Sequence, residues 1–220
     1  MILFFGEGTI RQVHKATDLI QYLPEDRKHH YRDGFSMAET VKTWVRANGR
    51  LPPSIASIVG SDRLNSAHFE YPTAVWGGGI SMSDVMAFVP SGVIAVEGKA
   101  REPFGEEVRV WIDEEKDTNP RSPDHRLQVI KRYARAFGTG TEQPLLSLRY
   151  QLLHRTLSAA LTARITEAER AWMIVQSFAP TDSTEHMQNR GDFDRYTEVV
   201  GGMPVLEGVK VGIAWAQEAM

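Results

Sequence analysis

Three charged residues stand at the ends of two apolar runs. In the segment SDVMAFVPSGVIAVEGKA (residues 83–100), Asp84 opens one run and Glu97-Gly98-Lys99 closes the next. Both runs, 84–89 and 93–99, have strand character. Pro90-Ser91-Gly92 between them is turn chemistry, because proline presets φ and glycine accepts φ > 0. Glu97 and Lys99 are two apart on a strand, so their side chains share a face. Charges at the ends of covered strands are costly unless something pairs them. A divalent cation would pair them, and so would a plain salt bridge from Lys99 to Glu97 or Asp84. If Val89 pairs with Val93 across the turn, Asp84 falls opposite Gly98, beside the other two charges but on the other face. A bulge or bend at the start of its strand would then have to rotate it.

The elements that must hold these residues follow from patterning. Residues 36–48, SMAETVKTWVRAN, read as a helix, with Ser36 and Glu39 as a capping box and Gly49 as a stop signal. Pro52-Pro53 introduces a short helix or turn over 51–60. A strand-like run over 68–76 ends at Gly77-Gly78-Gly79, ahead of the 84–89 and 93–99 hairpin, and 108–112 would extend the sheet. Pro123–Phe137 reads as a helix capped by Ser122 and stopped by Gly138, and 145–165 as one long amphipathic helix. A strand over 171–178, a polar loop over 180–191, a short helix over 192–200 and a closing strand over 208–215 complete the chain. The opening MILFFGEGTIRQ reads as a first strand or a buried N-terminal segment. This is a single α/β domain over residues 1–220, a mixed central sheet flanked by helices.

An aspartate at the start of one strand, followed by Glu-x-Lys on the next, resembles the PD-(D/E)XK, or restriction-endonuclease-like, nuclease superfamily. Twelve residues separate Asp84 from Glu97, and Ser83 stands where the family's pattern has proline. The order of elements over about 36–178 is similar to the family's αβββαβ core. The resemblance implies a Mg²⁺- or Mn²⁺-dependent nuclease. Asp84, Glu97 and the Gly98 carbonyl would hold the ion, since such hard cations take oxygen ligands and keep several waters. The ion would acidify a water and stabilise charge building on the phosphate, and Lys99 would orient that water. From the helices that follow, Gln151 and Arg155 are implied at the metal or phosphate, and Arg126 and Lys131 along a nucleic-acid backbone. Glu39 and Glu70 are weaker acidic candidates.

Other chemistries find no support. None of the seven histidines has HExxH or HxH spacing, there are no cysteines, and neither a P-loop nor a Gly-x-Ser-x-Gly motif is present. The lack of cysteine fits a reducing cytoplasm. No apolar run approaches a membrane span, and the N-terminus does not read as a signal peptide. Net charge is −3, but its distribution is uneven. Residues 101–120 carry seven acidic and three basic side chains, residues 121–164 two acidic and eight basic. A basic stretch of that kind can follow a phosphate backbone. The expected partner is nucleic acid, DNA ahead of RNA, with no membrane, and a homodimer is left open. Two rivals stand beside the nuclease: a catalytically silent binding module of the same fold, and a small α/β interaction protein whose Asp/Glu/Lys cluster is structural.

Overall fold

The structure is a computed structural model that describes residues 3–5, 11–113 and 122–218. Eight strands form one mixed sheet: β1 (Leu3–Phe5), β2 (Arg11–Gln12), β3 (Ser66–Val75), β4 (Gly79–Val89), β5 (Gly92–Lys99), β6 (Arg170–Ser177), β7 (Val205–Leu206) and β8 (Val209–Gln217). Their spatial order is β2-β1-β3-β4-β5-β6-β8-β7. Neighbours from β3 to β5 run antiparallel, while β5, β6 and β8 run parallel. The helices α1 (Ala16–Tyr22), α2 (Ser36–Arg46) and α3 (Pro53–Val59) cover one face of the sheet. The other face is covered by α4 (Val108–Asp113), α5 (Pro123–Phe137), α6 (Tyr150–Ile165) and α7 (Thr184–Val200). Each layer has its own apolar cluster, centred on Val41, Trp44, Phe69 and Val96 on the first face and on Ile130, Leu153, Leu157 and Met173 on the second. All eight residues of β5 are buried, as expected of a strand covered on both faces.

The α/β class and its mixed sheet agree with the pattern of the sequence; several element assignments do not. Residues 108–112 form α4 rather than a strand. Val108 and Ile112 are buried one helical turn apart, and Val110 between them is 48% exposed. The expected helix over 145–165 is interrupted. Leu145 belongs to a 3-10 turn, Gln143–Leu145, and α6 starts only at Tyr150 because the Leu148 carbonyl accepts from Val108 N at 2.8 Å. Nor is α6 amphipathic, since every residue from Arg155 to Ala160 is buried. The loop expected over 180–191 is mostly helix, α7, capped by the Ser183 hydroxyl accepting from His186 N. The Ser36–Glu39 capping box is absent. Phe35 is the N-cap, Glu39 accepts from Gly34 N, and Ser36 donates to Glu102 through both its amide and its hydroxyl. Glu114, Glu115, Lys116, Asp117 and Arg121 of the charged stretches lie outside the described residues, as do 1–2 and 6–10 of the opening segment.

The hairpin register is shifted by one residue from the expected one. Val89 pairs with Gly92 and Phe88 with Val93, and the β4–β5 ladder ends at Val85–Val96. At the next step, β3 and β4 both change face. Phe69 and Val85 pack with the α1–α3 layer, whereas Tyr71 packs against the opposite cluster and Ser83 bonds to α6. Phe69 pairs with Val85 and Tyr71 with Ser83, so the ladder passes over Glu70 and Asp84. Glu70 has a left-handed φ of 51° there, a conformation that costs roughly 1–3 kcal/mol in a non-glycine residue.

Candidate metal centre at the end of strand β5

The twist at Asp84 decides what this residue meets. Its carboxylate accepts a 2.7 Å hydrogen bond from Gly98 N, taking over where the β4–β5 ladder stops. It reaches that amide on the α2 side. A Cβ on Gly98 would lie 3.2 Å from Asp84 Oδ2 and would collide with Thr40 Oγ1 of α2. Only glycine fits between them. Asp84 is half-buried, and it lines a cavity of about 590 Å³ with Glu70, Glu102, Ser36, His29 and Arg32.

Glu97 points to the opposite side of β5, toward α6, and is 2% exposed. Its Oε1 accepts from Gln151 Nε2 at 2.7 Å and faces Lys99 Nζ at 2.9 Å. Its Oε2 accepts from Arg155 Nε at 2.8 Å and NH2 at 2.5 Å. Arg155 spends a third nitrogen on the hydroxyls of Ser81 and Ser83, at 3.0 and 3.1 Å. Ser81 also meets His154 Nδ1 at 2.8 Å. Lys99, 4% exposed, lies with its Nζ 5.0 Å from the Phe104 ring centroid. Asn189 of α7 fixes the loop carrying that ring by bonding Phe104 N and the Glu102 carbonyl.

The two carboxylates titrate in opposite directions. Burial, together with the negative charges of Glu97 and Glu70, holds Asp84 well above the usual aspartate range, against the pull of Arg155 and Lys99. Burial also pushes Glu97 up, but Lys99 and Arg155 outweigh it and leave its pKa lowered. His154 is driven down to about 3, by burial first and the Arg155 charge second, so it is neutral at physiological pH.

Residues 12–220 match a domain of unknown function, DUF6946. The chain belongs to the DUF6946 family. The family's description assigns no activity, and no curated protein and no solved structure matches the chain.

Asp84 does not open its strand as expected: β4 begins at Gly79, which leaves Asp84 in mid-strand at the point where the β4–β5 ladder stops. In this DUF6946 chain, Glu97, Gly98, Lys99, Gln151 and Arg155 gather beside it at the end of β5. Gln151 and Arg155 serve there as braces for Glu97. Arg126 and Lys131 do not join them. Arg126 is 2% exposed, donates to the Trp111 carbonyl at 2.7 Å and lies 5.5 Å from the Trp111 ring centroid. It shares the inner face of α5 with Val129, Ile130 and Tyr133 and cannot reach a phosphate from the core. Lys131 lines a depression with Arg135 and Gly140 on the outer side of α5, away from the Glu97 cluster. Ser81, Ser83 and Glu102 escaped the sequence reading, although two serines two apart before Asp84 sit at spacing for one strand face.

The donors suit a hard cation on the Asp84 side. Burial first, and repulsion by neighbouring carboxylates second, hold the Asp84 pKa up, and a bound cation would oppose both. Thr40 Oγ1, buried beside Gly98, has no hydrogen-bond partner among the described residues. Among the described residues no three His, Cys, Asp or Glu side chains form a ready-made cage.

Proposed function

We propose that this protein is a Mg²⁺- or Mn²⁺-dependent nuclease of the PD-(D/E)XK type that hydrolyses phosphodiester bonds in nucleic acid, with DNA as the expected substrate. One observation carries the reading. Asp84 is bonded to the Gly98 amide at the strand end, Glu97 and Lys99 flank that glycine, and Gln151 and Arg155 hold Glu97. The sequence of α2, then β3, β4 and β5, then helices, then β6 parallel to β5 supports it, being the αβββαβ order of that superfamily.

Of the three expected ligands, Asp84 and the Gly98 carbonyl would hold the ion, while Glu97, on the α6 side with its oxygens taken by Gln151, Lys99 and Arg155, would brace the strand end; when bound, the ion supplies electrostatic stabilisation of the charge developing on the phosphate. The chain's own residues do the rest. Arg155 and Gln151 fix the Glu97 carboxylate so that it does not reorganise during the reaction. Lys99, held by Glu97 and the Phe104 ring, offers its ammonium to the attacking water or to the phosphate. Cationic approach to the carboxylates falls to Arg32, in the Asp84 cavity, and to Arg46 and Arg101, in a neighbouring cavity of about 850 Å³. They replace the α5 cations expected from sequence. A cytoplasmic setting belongs to this reading. Among the described residues no helix is long and apolar enough to cross a membrane.

The saturation of Glu97 by three protein donors favours one second reading, a non-cleaving module that binds nucleic acid. An assay of single-stranded DNA, duplex DNA and RNA with Mg²⁺ and Mn²⁺ separates them. The nuclease reading expects metal-dependent cleavage that drops at least about 100-fold in Asp84→Asn and Lys99→Ala. Salt-sensitive binding without cleavage by the parent would support the module. Neither binding nor cleavage would leave the structural salt-bridge account.

A further inference from the structure

We propose that the cavity of about 850 Å³ beside the Asp84 cavity is a nucleotide site, which takes a nucleoside monophosphate unit between Arg46, Arg101 and an apolar floor. The inference rests on the nuclease reading and names the part of the substrate, or of the released product, that this cavity would hold.

The cavity lies at the carboxyl ends of three parallel strands. Ala100 follows β5, Phe178 and Ala179 follow β6, and Glu218 follows β8. The ladder carries on into this rim: Phe178 N donates to the Lys99 carbonyl at 2.7 Å and Glu218 N to the Ser177 carbonyl at 2.9 Å. Crevices outside the carboxyl ends of parallel strands are where α/β sheets bind ligands. One wall comes from α2, through Thr43 and Arg46, and Ser183, the N-cap of α7, stands on another. Only the segments 34–36 and 101–102 separate this cavity from the one lined by Asp84. Gly34 and Arg101 line the first, Ser36 and Glu102 the second, and Ser36 N donates to Glu102 at 2.9 Å. A ligand here would lie next to the proposed ion site.

The charges of the cavity are the second observation. Arg46 and Arg101 are exposed, and neither guanidinium has a hydrogen-bond or ion-pair partner among the described residues. Three carboxylates line the same space without pairing with either arginine. Glu39 is held by Gly34 N and Lys42, and Glu218 by Ser54 and Gln176. Glu185, in the first turn of α7, is exposed and has no partner among the described residues. Opposite charges that share a cavity and stay apart leave room for a ligand carrying both an anion and hydrogen-bond donors. A phosphate matches the guanidinium forks, the amino and hydroxyl groups of base and sugar match Glu185, and the flat base matches the floor of Phe178, Ala179 and Pro53. The volume falls in the range of small-molecule sites, roughly 300–1,000 Å³, and a bare phosphate would leave the floor unused.

The test is calorimetric titration of the whole chain, without metal, with dAMP, deoxyadenosine, inorganic phosphate and a short DNA strand with and without a terminal phosphate. The variants are Arg46→Gln, Arg101→Gln and, as a control for overall charge, Arg135→Gln, an exposed cation on the outer side of α5. The proposal expects dAMP to bind, at least about tenfold more weakly in each cavity variant, as the loss of a charge-assisted contact implies, and unchanged in Arg135→Gln. Deoxyadenosine and phosphate should each bind at least about tenfold more weakly than dAMP. A terminal phosphate that tightens binding of the strand by the parent, but not by the cavity variants, supports a strand end as the occupant. Binding of dAMP without that difference supports the released product. No binding of dAMP, equal binding of dAMP and phosphate, or equal losses in all three variants overturns the site. Metal-dependent cleavage by a parent that binds no dAMP overturns the site and leaves the nuclease reading standing. Binding of dAMP as expected, by a parent that cleaves nothing, supports the site and removes the nuclease.

Discussion

The two sides of the sheet at the end of β5 are built on opposite principles. On the α6 side, Glu97 is closed in by Lys99, Gln151 and Arg155, and Arg155 is tied down in turn by Ser81 and Ser83. Charge there is balanced by the protein itself. On the α2 side, Asp84 lines an open cavity with Glu70, Glu102 and Arg32, and the Thr40 hydroxyl has no hydrogen-bond partner among the described residues. The first side is closed by its own partners, and the second opens onto a cavity. In a metal-dependent site these are complementary jobs: a rigid brace and a place for the ion.

The largest effect is expected from breaking the brace. Arg155→Met removes a buried guanidinium and leaves Glu97 with Lys99 as its remaining cation. It also takes the donor from Ser81 and Ser83. Removing one partner of a buried ion pair typically costs about 3–5 kcal/mol, measurable by denaturant unfolding. A loss below about 1 kcal/mol would mean that the α6 side is not the closed cluster described here. Arg155→Lys restores the charge but not the two-pronged contact, so it should recover only part of the loss.

How much of this contrast could be read from the sequence depends on the range of the interaction involved. The hairpin, Glu97 and Lys99 on one face, α2, the caps of α5 and the mixed sheet were legible because each rests on local periodicity or turn chemistry. Gln151 and Arg155 could be placed on one helix face, and the fold brings both onto Glu97. The side on which Asp84 emerges was not legible. It depends on a one-residue hairpin register and on a change of face that β3 and β4 share. No single strand encodes that. Arg126 failed for a different reason: a count of charges does not see which face of α5 an arginine occupies. Its spacing to Ile130 and Tyr133 places it on the buried side.

The next effect separates the two carboxylates by pH. Asp84 has a raised pKa, so above its ordinary value of about 4 the native state holds its proton more tightly than the unfolded chain does. Stability therefore falls as pH rises from there through the native pKa. Asp84→Asn should raise thermal stability at pH 7 while abolishing metal-dependent cleavage, and Mg²⁺ should stabilise the parent more than the variant. Glu97 has a lowered pKa, so its contribution is present above the ordinary glutamate range and is lost as pH falls through the native pKa. Glu97→Gln should destabilise at neutral pH and lessen acid sensitivity. Equal and parallel effects of the two variants would erase the distinction between the sides.

The smallest effect concerns His154, on the closed side. Its native pKa of about 3 lies below its ordinary value near 6.5. Between those two values the unfolded chain binds the proton and the native state does not. Stability is then lost as pH falls from about 6.5 toward 3, a window that opens before Glu97 begins to protonate. The cause is burial beside Arg155, so a protonated imidazole would add a second cation to a cluster that already contains Lys99 and Arg155. His154→Asn keeps a polar group near Ser81 but cannot charge. It should flatten the decline of stability between pH 6.5 and 4.5 and leave the steeper loss at lower pH, where Glu97 titrates. Melting temperatures across that range, read with NMR of the imidazole in the parent, measure both parts. A histidine that titrates near 6.5 in the native state would show that the α6 side admits water, and the contrast between a closed side and an open one would fail.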